Sequence, residues 1–352
     1  MDARLGFYAG KRVLVTGHTG FKGSWLCEIL KMLGAEVTGY ALQPPTEPSM
    51  FALAGVARGM RSVIADIRDF DALGRVFDET RPEVVLHLAA QPIVLTSYEQ
   101  PRYTYETNVM GTVNLLECVR LSDSVKSVLN VTTDKVYKNN EWCWGYRENE
   151  PLDGFDPYSN SKSCSELVTH SYKASFFDDR EIAVSTARAG NVIGGGDFAD
   201  NRIIPDCVRA AIAKEPIQVR NPNSTRPYQH VLEPLNAYLL IAAEQAADRA
   251  KQGYYNVGPD DADCLTTGTL AGIFCDAWGD GLTYEAKHRD GPHEANFLKL
   301  DCSLVKNTFG WQHVWNAPEA VRRTVAWTKV YAAGGDVSDV TRRQIAEFFG
   351  ME

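Results

Sequence analysis

The chain has 352 residues, of which 44% are hydrophobic and 23% are charged, and its formal net charge is −9. This is the composition of an ordinary globular protein with a sizeable core, which excludes a disordered chain, a collagen and a coiled coil. No run approaches the length of a membrane span, and the acidic balance argues against nucleic acids and anionic membranes as partners. The length predicts about two domains or one large one.

The first half of the chain alternates short apolar runs with amphipathic stretches. The predicted strands are Arg12–Thr16, Glu36–Tyr40, Ser62–Ala65, Val84–Leu88, Ser127–Thr132 and Ile182–Ala187. The predicted helices are Gly20–Met32, Asp69–Thr80, Tyr103–Arg120 and Ser159–Phe176. This order is typical of βαβ units, so we expect an α/β fold with a Rossmann-like parallel sheet covered on both faces.

After residue 189 the alternation weakens, which predicts a smaller mixed α/β lobe at the C-terminal side. The elements predicted there are the helices Pro205–Lys214, Leu232–Asp248, Thr267–Trp278 and Ala317–Ala333, and a strand at Tyr254–Val257. The tail, residues 334–352, has weak helical character. We therefore divide the chain into residues 1–190 and 191–352, and segments of the sheet are open to exchange between the two lobes.

The eight cysteines form no CxxC pair and no Cys/His cluster with the spacing of a zinc site. The first ten residues lack the apolar core of a secretory signal. Together these features predict reduced structural thiols, a cytoplasmic protein and no metal site.

Three glycines, Gly17, Gly20 and Gly23, directly follow the first predicted strand and open the first helix. Without a Cβ, the backbone can turn tightly and approach a pyrophosphate, which the free amide groups and dipole of the helix N-terminus attract. The functional interpretation is a dinucleotide-binding loop, and the alternative is a tight βα turn without a ligand.

The signals that would select the cofactor are weaker. The second predicted strand ends without the carboxylate that usually binds the adenosine ribose, so NAD and NADP both stay open. Lys22 would contact a 2′-phosphate or extend into solvent. Asp66 would accept a hydrogen bond from an adenine amino group or cap the helix that follows it.

A catalytic pattern follows the fifth predicted strand. Tyr158 and Lys162 lie four residues apart, which places both side chains on one face of a helix. A nearby ammonium and a cationic nicotinamide ring would lower the pKa of the tyrosine and make it a base. At the strand's carboxyl end, where parallel sheets bind ligands, stand Thr133, Asp134 and Lys135; a turn that uses these side chains to bond its own backbone is the alternative.

These features together resemble the extended short-chain dehydrogenase/reductases that act on nucleotide sugars. Within that family, the resemblance is to the sugar-nucleotide 4,6-dehydratases. Most of them have Asp–Glu where this chain has Asp134–Lys135, and the CDP-glucose branch has Asp–Lys. The stretches that carry the finer resemblance are Gly17–Trp25, Asn108–Thr112, Trp144–Glu150, Asp156–Lys162, Arg188–Asp197, His230–Pro234 and Leu298–Cys302.

The resemblance implies an NAD-dependent lyase that oxidises C4 of an NDP-hexose, expected to be CDP-glucose, eliminates water across C5 and C6, and returns the hydride to C6. It implies that Tyr158 takes the C4 hydroxyl proton and that Thr133 holds that hydroxyl. Asp134 would be the acid at the C6 hydroxyl and Lys135 the base at C5. Lys162 would fix Tyr158 and the nicotinamide ribose.

The expected cofactor is NAD, tightly held and regenerated in each turnover, with NADP not excluded. Its predicted binding residues are Gly17, Thr19, Gly20, Phe21, Lys22, Gly23, Asp66, Ile67, Ala89, Ala90, Gln91, Thr132, Tyr158 and Lys162. The predicted substrate-binding residues are Thr133, Asn191, Arg202, Arg226, Tyr228 and His293. We expect Arg202 and Arg226 to bind the diphosphate, because guanidinium contacts phosphate in a two-pronged way.

Further positive candidates near the substrate are Arg188 and Arg220. The aromatic residues Trp142 and Trp144 would either wall the sugar pocket or pack in the protein interior. The expected assembly is a homodimer or homotetramer, which the resemblance places on the helices Tyr103–Arg120 and Ser159–Phe176.

Two positions depart from the family. Leu95 stands where the family usually has Arg, and Tyr228 where it usually has Trp. Another enzyme on the same scaffold, such as an epimerase or a dehydratase with a different nucleotide or sugar, therefore stays open, as does a catalytically idle NAD-binding protein.

Overall fold

The computed structural model describes residues 2–287 and 298–351. The strands are β1 (Arg12–Thr16), β2 (Glu36–Ala41), β3 (Arg61–Ile64), β4 (Val84–His87), β5 (Ser127–Thr133), β6 (Ala183–Ala189), β7 (Val192–Ile193), β8 (Ile217–Val219), β9 (Thr225–Pro227), β10 (Gln229–His230), β11 (Tyr254–Val257), β12 (Cys264–Thr266) and β13 (Tyr284–Ala286). The α-helices are α1 (Phe21–Met32), α2 (Met50–Leu53), α3 (Phe70–Thr80), α4 (Val94–Glu99), α5 (Pro101–Tyr105), α6 (Gly111–Leu121), α7 (Pro157–Tyr172), α8 (Ile203–Ala213), α9 (Leu232–Ala247), α10 (Thr267–Trp278), α11 (Ser303–Phe309), α12 (Ala317–Ala332) and α13 (Val337–Phe349).

Seven strands form one parallel sheet with the order β11-β6-β5-β4-β1-β2-β3. Every strand predicted from the sequence is present, and the ends differ by at most two residues. The Rossmann-like α/β fold is thus confirmed. The order of the strands reverses between β1 and β4, and ligands bind at such a point, outside the carboxyl ends of the strands.

The sheet buries both faces of its central strands, which explains the apolar runs of β1 and β4. In β1, Val13 and Val15 pack into one hydrophobic cluster with Leu26 of α1 and Leu239 of α9. Leu14, which lies between them, points into a second cluster on the other face. Because side chains alternate along a strand, one apolar run supplies both cores.

The helices differ from the prediction at several places. The predicted helix Ser159–Phe176 is α-helical only to Tyr172 and continues as a π-helical turn, Lys173–Phe177, and α2, α4 and α11 were not predicted. The predicted helix Tyr103–Arg120 is interrupted by a π-helical turn, Glu106–Met110, which separates α5 from α6. The tail that has weak helical character in sequence forms the helix α13. Asp336 caps this helix, and its buried apolar residues pack against α1 and α12.

The second half of the chain returns to the main sheet. Helix α9 packs on β5 and β6, and β11 extends the sheet beside β6. The remaining segments build a separate core around α8, α10 and α12. None of the helices within residues 2–287 and 298–351 combines the length and apolar character that crossing a bilayer requires.

Candidate active site

A large cleft lies at the carboxyl ends of β1, β4 and β5, and its volume is about 1450 Å³. This exceeds the roughly 300–1,000 Å³ of ordinary small-molecule pockets, so the cleft has room for two ligands of nucleotide size. The residues predicted to bind cofactor and substrate all line it, with the exception of His293. His293 lies outside the described residues.

The glycine loop is closely packed against backbone. Gly17 has a φ of +78°, and a Cβ added there would lie 2.8 Å from the amide nitrogen of Ala89. A Cβ on Gly23 would lie 2.1 Å from the carbonyl oxygen of Gly17. Gly20 caps α1 without a side-chain hydrogen bond, which leaves the first amides of the helix facing the cleft. This geometry fits a pyrophosphate at the start of α1.

The packing at Gly23 gives a testable prediction. The Gly23→Ala variant should lose about 1–3 kcal/mol of unfolding free energy, because the new methyl group meets backbone that a rotamer change does not move. Chemical denaturation measures the loss. Gly20→Ala is the matched control, since its Cβ would lie at an ordinary 3.4 Å from Gly17. Equal stabilities of the two variants would contradict the packing argument.

The structure excludes one of the two roles considered for Asp66, the helix cap, and the adenine contact stays a prediction. Asp69, and not Asp66, caps α3 by accepting a hydrogen bond of 2.9 Å from the amide of Ala72. Asp66 forms an ion pair with Arg68, with 2.7 Å between Oδ2 and the guanidinium, and this partner lowers the pKa of Asp66. The charged carboxylate lies in the cleft beyond the end of β2, near Leu42.

Lys22 lies on the cleft with intermediate exposure. Desolvation lowers its pKa to about 8. The charges that act on it belong to Arg202, Lys162, Asp134 and Asp197, so its ammonium faces the catalytic end of the cleft and not the end near Asp66.

The segment after β4 is held by a residue that the sequence analysis did not assign to the site. Asn108, in the π-helical turn, accepts a hydrogen bond of 2.8 Å from the amide of Gln91 and donates one of 3.1 Å to its carbonyl. The Gln91 side chain donates to Thr104. Asn108 thereby fixes the backbone that follows Ala89 and Ala90. Its place in a stretch of family resemblance was the available signal.

Thr133 and Asp134 stand at the end of β5 and are buried, with exposed fractions of 6% and 2%. The Thr133 hydroxyl donates to Asp134 Oδ1 at 2.9 Å and accepts from the amide of Lys135 at 3.4 Å. Asp134 Oδ2 has no hydrogen-bond partner among the described residues. Burial raises the pKa of Asp134, although Lys135 and Arg226 act in the opposite direction. The local turn exists at Thr133, and the raised pKa of Asp134 favours the protonated form of its carboxyl beside the cleft.

Tyr158 and Lys162 lie in the first turns of α7, beside this strand end. Lys162 Nζ donates to the carbonyl of Val131 at 3.1 Å, and burial lowers its pKa to about 8. Burial also raises the pKa of Tyr158 to about 12, against a hydrogen bond with Thr133. In the chain without cofactor, desolvation outweighs the neighbouring charges, so the expected lowering of the tyrosine pKa, which includes the charge of a nicotinamide ring, stays a prediction.

Two arginines place positive charge near these groups. Arg226 is 7% exposed, and its charge acts on Asp134. Arg202 forms an ion pair with Asp197 at 3.1 Å, and its charge acts on Tyr158. Asp197 is a lining residue that the sequence analysis did not name as part of the site.

The remaining predicted substrate residues lie along the same cleft. Asn191 follows β6, and its backbone carbonyl accepts a hydrogen bond of 3.0 Å from the amide of Gln229. The Tyr228 hydroxyl lies 3.2 Å from the Thr267 hydroxyl. Arg220 lines the cleft and is paired with Asp206 at 2.9 Å. Leu95, at one of the departures from the family, also lines it.

Three candidates are absent from the residues that line the cleft. Arg188 is buried beneath the sheet end in an ion pair of 2.8 Å with Glu166, so it does not reach a diphosphate. Trp142 is partly buried and stacks on Tyr146 against the hydrophobic core, and Trp144 is 68% exposed. The packing alternative considered for Trp142 is thus the one that the structure supports. Within the described ranges, no group of three or more potential ligand side chains could hold a metal ion.

Fold and site together define a class: an extended short-chain dehydrogenase/reductase, with a glycine loop at the first βα turn and a Tyr–Lys pair beside the end of the fifth strand. Residues 14–324 match the family described as GDP-mannose 4,6 dehydratase. The chain is 47% identical over 349 residues to CDP-glucose 4,6-dehydratase of Salmonella typhimurium, with 97% of each sequence covered. The chain belongs to the GDP-mannose 4,6 dehydratase family.

Two solved structures share this fold. UDP-glucose 4-epimerase of Thermus thermophilus in complex with NAD is 25% identical, with a TM-score of 0.79 over 90% of this chain and 99% of that one. The dTDP-glucose 4,6-dehydratase of Bacillus anthracis in complex with NAD is 22% identical, with a TM-score of 0.75 over 91% and 97%.

Proposed function

We propose that the chain is an NAD-dependent CDP-glucose 4,6-dehydratase, which converts CDP-glucose to CDP-4-keto-6-deoxyglucose. The similarity to the Salmonella enzyme over nearly the full length supports this substrate. The observation that carries the reaction type is the pair Asp134–Lys135 at the end of β5, beside Tyr158. One member of this pair is a buried carboxyl with a raised pKa, as the acid of an elimination requires.

The cleft fits the cofactor. Backbone fills the space that side chains would take at Gly17 and Gly23, and the start of α1 offers amides to the pyrophosphate. Asp66 near the adenosine end disfavours a 2′-phosphate, which supports NAD over NADP. NAD⁺ held there by the glycine loop and Lys162 would supply the hydride acceptor for C4 of the sugar and, once reduced, the hydride for C6.

Tyr158 is the proposed base for the C4 hydroxyl proton. Burial raises the pKa of Tyr158 and keeps its phenol protonated. The positive charge of a bound nicotinamide ring must therefore lower this pKa before Tyr158 can act as a base. Thr133 contacts Tyr158 and is placed to hold the same C4 hydroxyl. Lys162 is placed to donate to the nicotinamide ribose and to stabilise the tyrosinate.

Asp134 and Lys135 divide the elimination of water between them. Burial raises the pKa of Asp134 and so favours its protonated form, and Asp134 is the proposed donor of a proton to the leaving C6 hydroxyl, which departs as water. Lys135, whose side chain is half-buried at the cleft, removes the C5 proton that the C4 carbonyl acidifies, and returns a proton to C5 at the end of the cycle.

The nucleotide diphosphate is proposed to bind Arg202 and Arg226, with Asn191 and Tyr228 beside it. Residues 1–190 would form the cofactor-binding domain and residues 191–352 the substrate-binding lobe, with α9 and β11 of the second range completing the sheet of the first.

We also propose a homodimer or homotetramer in the cytoplasm. Met110, Leu167 and Phe176 are exposed apolar residues on the two helical segments predicted to pair, with exposed fractions of 51%, 55% and 44%. All eight cysteines are free thiols, which fits a reducing compartment. Light scattering during size-exclusion chromatography measures the mass of the assembly, and a monomer would contradict the first part of this proposal.

Incubation with CDP-glucose and NAD⁺ in D₂O tests the reaction. We expect a 4-keto-6-deoxy product that carries solvent deuterium at C5, both observed by NMR. A C4 or C2 epimer would contradict the proposal and indicate another member of the superfamily. Thermal shifts with CDP-, UDP-, GDP- and dTDP-glucose test the nucleotide, and we expect the largest stabilisation from CDP-glucose.

A further inference from the structure

Glu166 lies on α7, one helical turn after Lys162, and is 1% exposed. Its Oε2 accepts hydrogen bonds of 2.8 Å from the Thr186 hydroxyl and of 2.8 Å from the Arg188 guanidinium. Its Oε1 accepts a hydrogen bond from the Thr132 hydroxyl. The carboxylate thus joins α7 to β5 and β6 directly beneath the strand end that carries Thr133 and Asp134. It does not line the cleft, so it cannot touch a ligand there.

The charge of Glu166 acts on Lys162. The ammonium of Lys162 is buried with the carbonyl of Val131 as its acceptor, and this desolvation alone favours the neutral amine. Glu166 is the group whose charge opposes that effect. Lys22 from α1 carries a positive charge that opposes protonation of Lys162. His87 from β4 is neutral, since burial lowers its pKa to about 3.

We propose that Glu166 is a positioning residue of this active site: its buried carboxylate keeps the ammonium of Lys162 charged and holds the end of β5 against α7. This inference rests on the proposed function for the role of Lys162. Arg188 then has a structural role, because it donates to Tyr137, to the carbonyl of Glu148 and to Glu166 Oε2.

The Glu166→Gln variant tests the charge with little change of shape. Without the carboxylate, the pKa of Lys162 falls further below its ordinary value, so the ammonium is lost at lower pH. A shift of about one unit leaves binding and turnover near wild type at about pH 6 and reduces both by about tenfold at about pH 8.5. The readouts are the dissociation constant of NADH, from its fluorescence, and kcat/KM, each measured across this range.

Two further variants separate electrostatics from folding. Glu166→Gln leaves Arg188 buried without its carboxylate, which destabilises the protein. The double variant Glu166→Gln with Arg188→Met removes both charges, so we expect its melting temperature to recover while the pH-dependent defect persists. Thr186→Val keeps the carboxylate and removes one donor, and we expect no pH-dependent defect.

If Glu166 has only a structural role, the loss of NADH binding and of kcat/KM in Glu166→Gln is constant across pH, or it disappears when stability recovers in the double variant. Either result would overturn the proposal. The NADH measurement needs no sugar substrate. If the wild type does not convert CDP-glucose, the proposed reaction fails, and the binding profile still decides the role of Glu166.

Discussion

Replacing Tyr158 with phenylalanine is expected to lower kcat by about 10²–10⁴-fold, the usual contribution of a positioned base. Tyr158 lies at the start of α7 beside Thr133, and its phenol is the group placed to take the C4 proton. Phenylalanine keeps the ring and its packing, so the dissociation constant of the nucleotide sugar should change little. Product formation by NMR and binding by calorimetry measure the two effects.

The pH profile adds a second readout for Tyr158. Because burial raises the pKa of this tyrosine, the phenol must lose its proton for each turnover, and the wild-type rate should rise with pH on the acidic side. The residual rate of the phenylalanine variant should lack that rise. Tyr172→Phe, on the same helix but outside the residues that line the cleft, is the matched control and should keep the wild-type profile. Wild-type turnover in Tyr158→Phe would remove Tyr158 from the mechanism.

The sheet could be predicted because its central strands β1 and β4 are buried on both faces and apolar, and because short strands alternate with helices along the chain. The sequence indicated only weak helical character for α13, because little of its stability is encoded locally. Its signal is a cap at Asp336 and an apolar stripe that includes Val340 and Phe348, and its stability comes from packing on α1 and α12. Most helices in proteins are stabilised by packing against other elements rather than by their own sequence, so a short amphipathic helix at the end of a chain is hard to recognise from sequence alone.

The site could be predicted where it follows strand ends and the glycine loop, and not where it depends on which face a side chain takes. Thr186 and Arg188 lie two residues apart on β6 and therefore share a face, the one that meets Glu166 beneath the cleft. In the sequence, Arg188 near the strand end indicated a phosphate ligand. In the structure, its partner is the carboxylate of Glu166 on α7. The pKa of Tyr158 likewise depends on burial that only the folded chain shows.

Replacing Asp134 with asparagine is expected to stop the reaction after its first half. Asparagine accepts the hydrogen bond from Thr133 but cannot protonate the C6 hydroxyl, so water leaves without an acid. We expect kcat to fall by about 10²–10⁴-fold. Oxidation at C4 does not use Asp134, so the near-ultraviolet absorbance of the reduced cofactor should rise by up to one equivalent per site and then persist. Single-turnover absorbance measurements test this directly.

Lys135→Met, the companion variant, distinguishes the acid from the base. Removal of the C5 proton precedes departure of water, so Asp134→Asn should still exchange the C5 hydrogen of the oxidised sugar with D₂O, whereas Lys135→Met should not. Both variants should retain the melting temperature shift caused by CDP-glucose, because neither residue is proposed to bind the diphosphate. If Asp134→Asn loses the exchange and Lys135→Met keeps it, the two roles are reversed. The raised pKa of Asp134 would then reflect only its burial at the end of β5, and the acid would have to come from another group in the cleft.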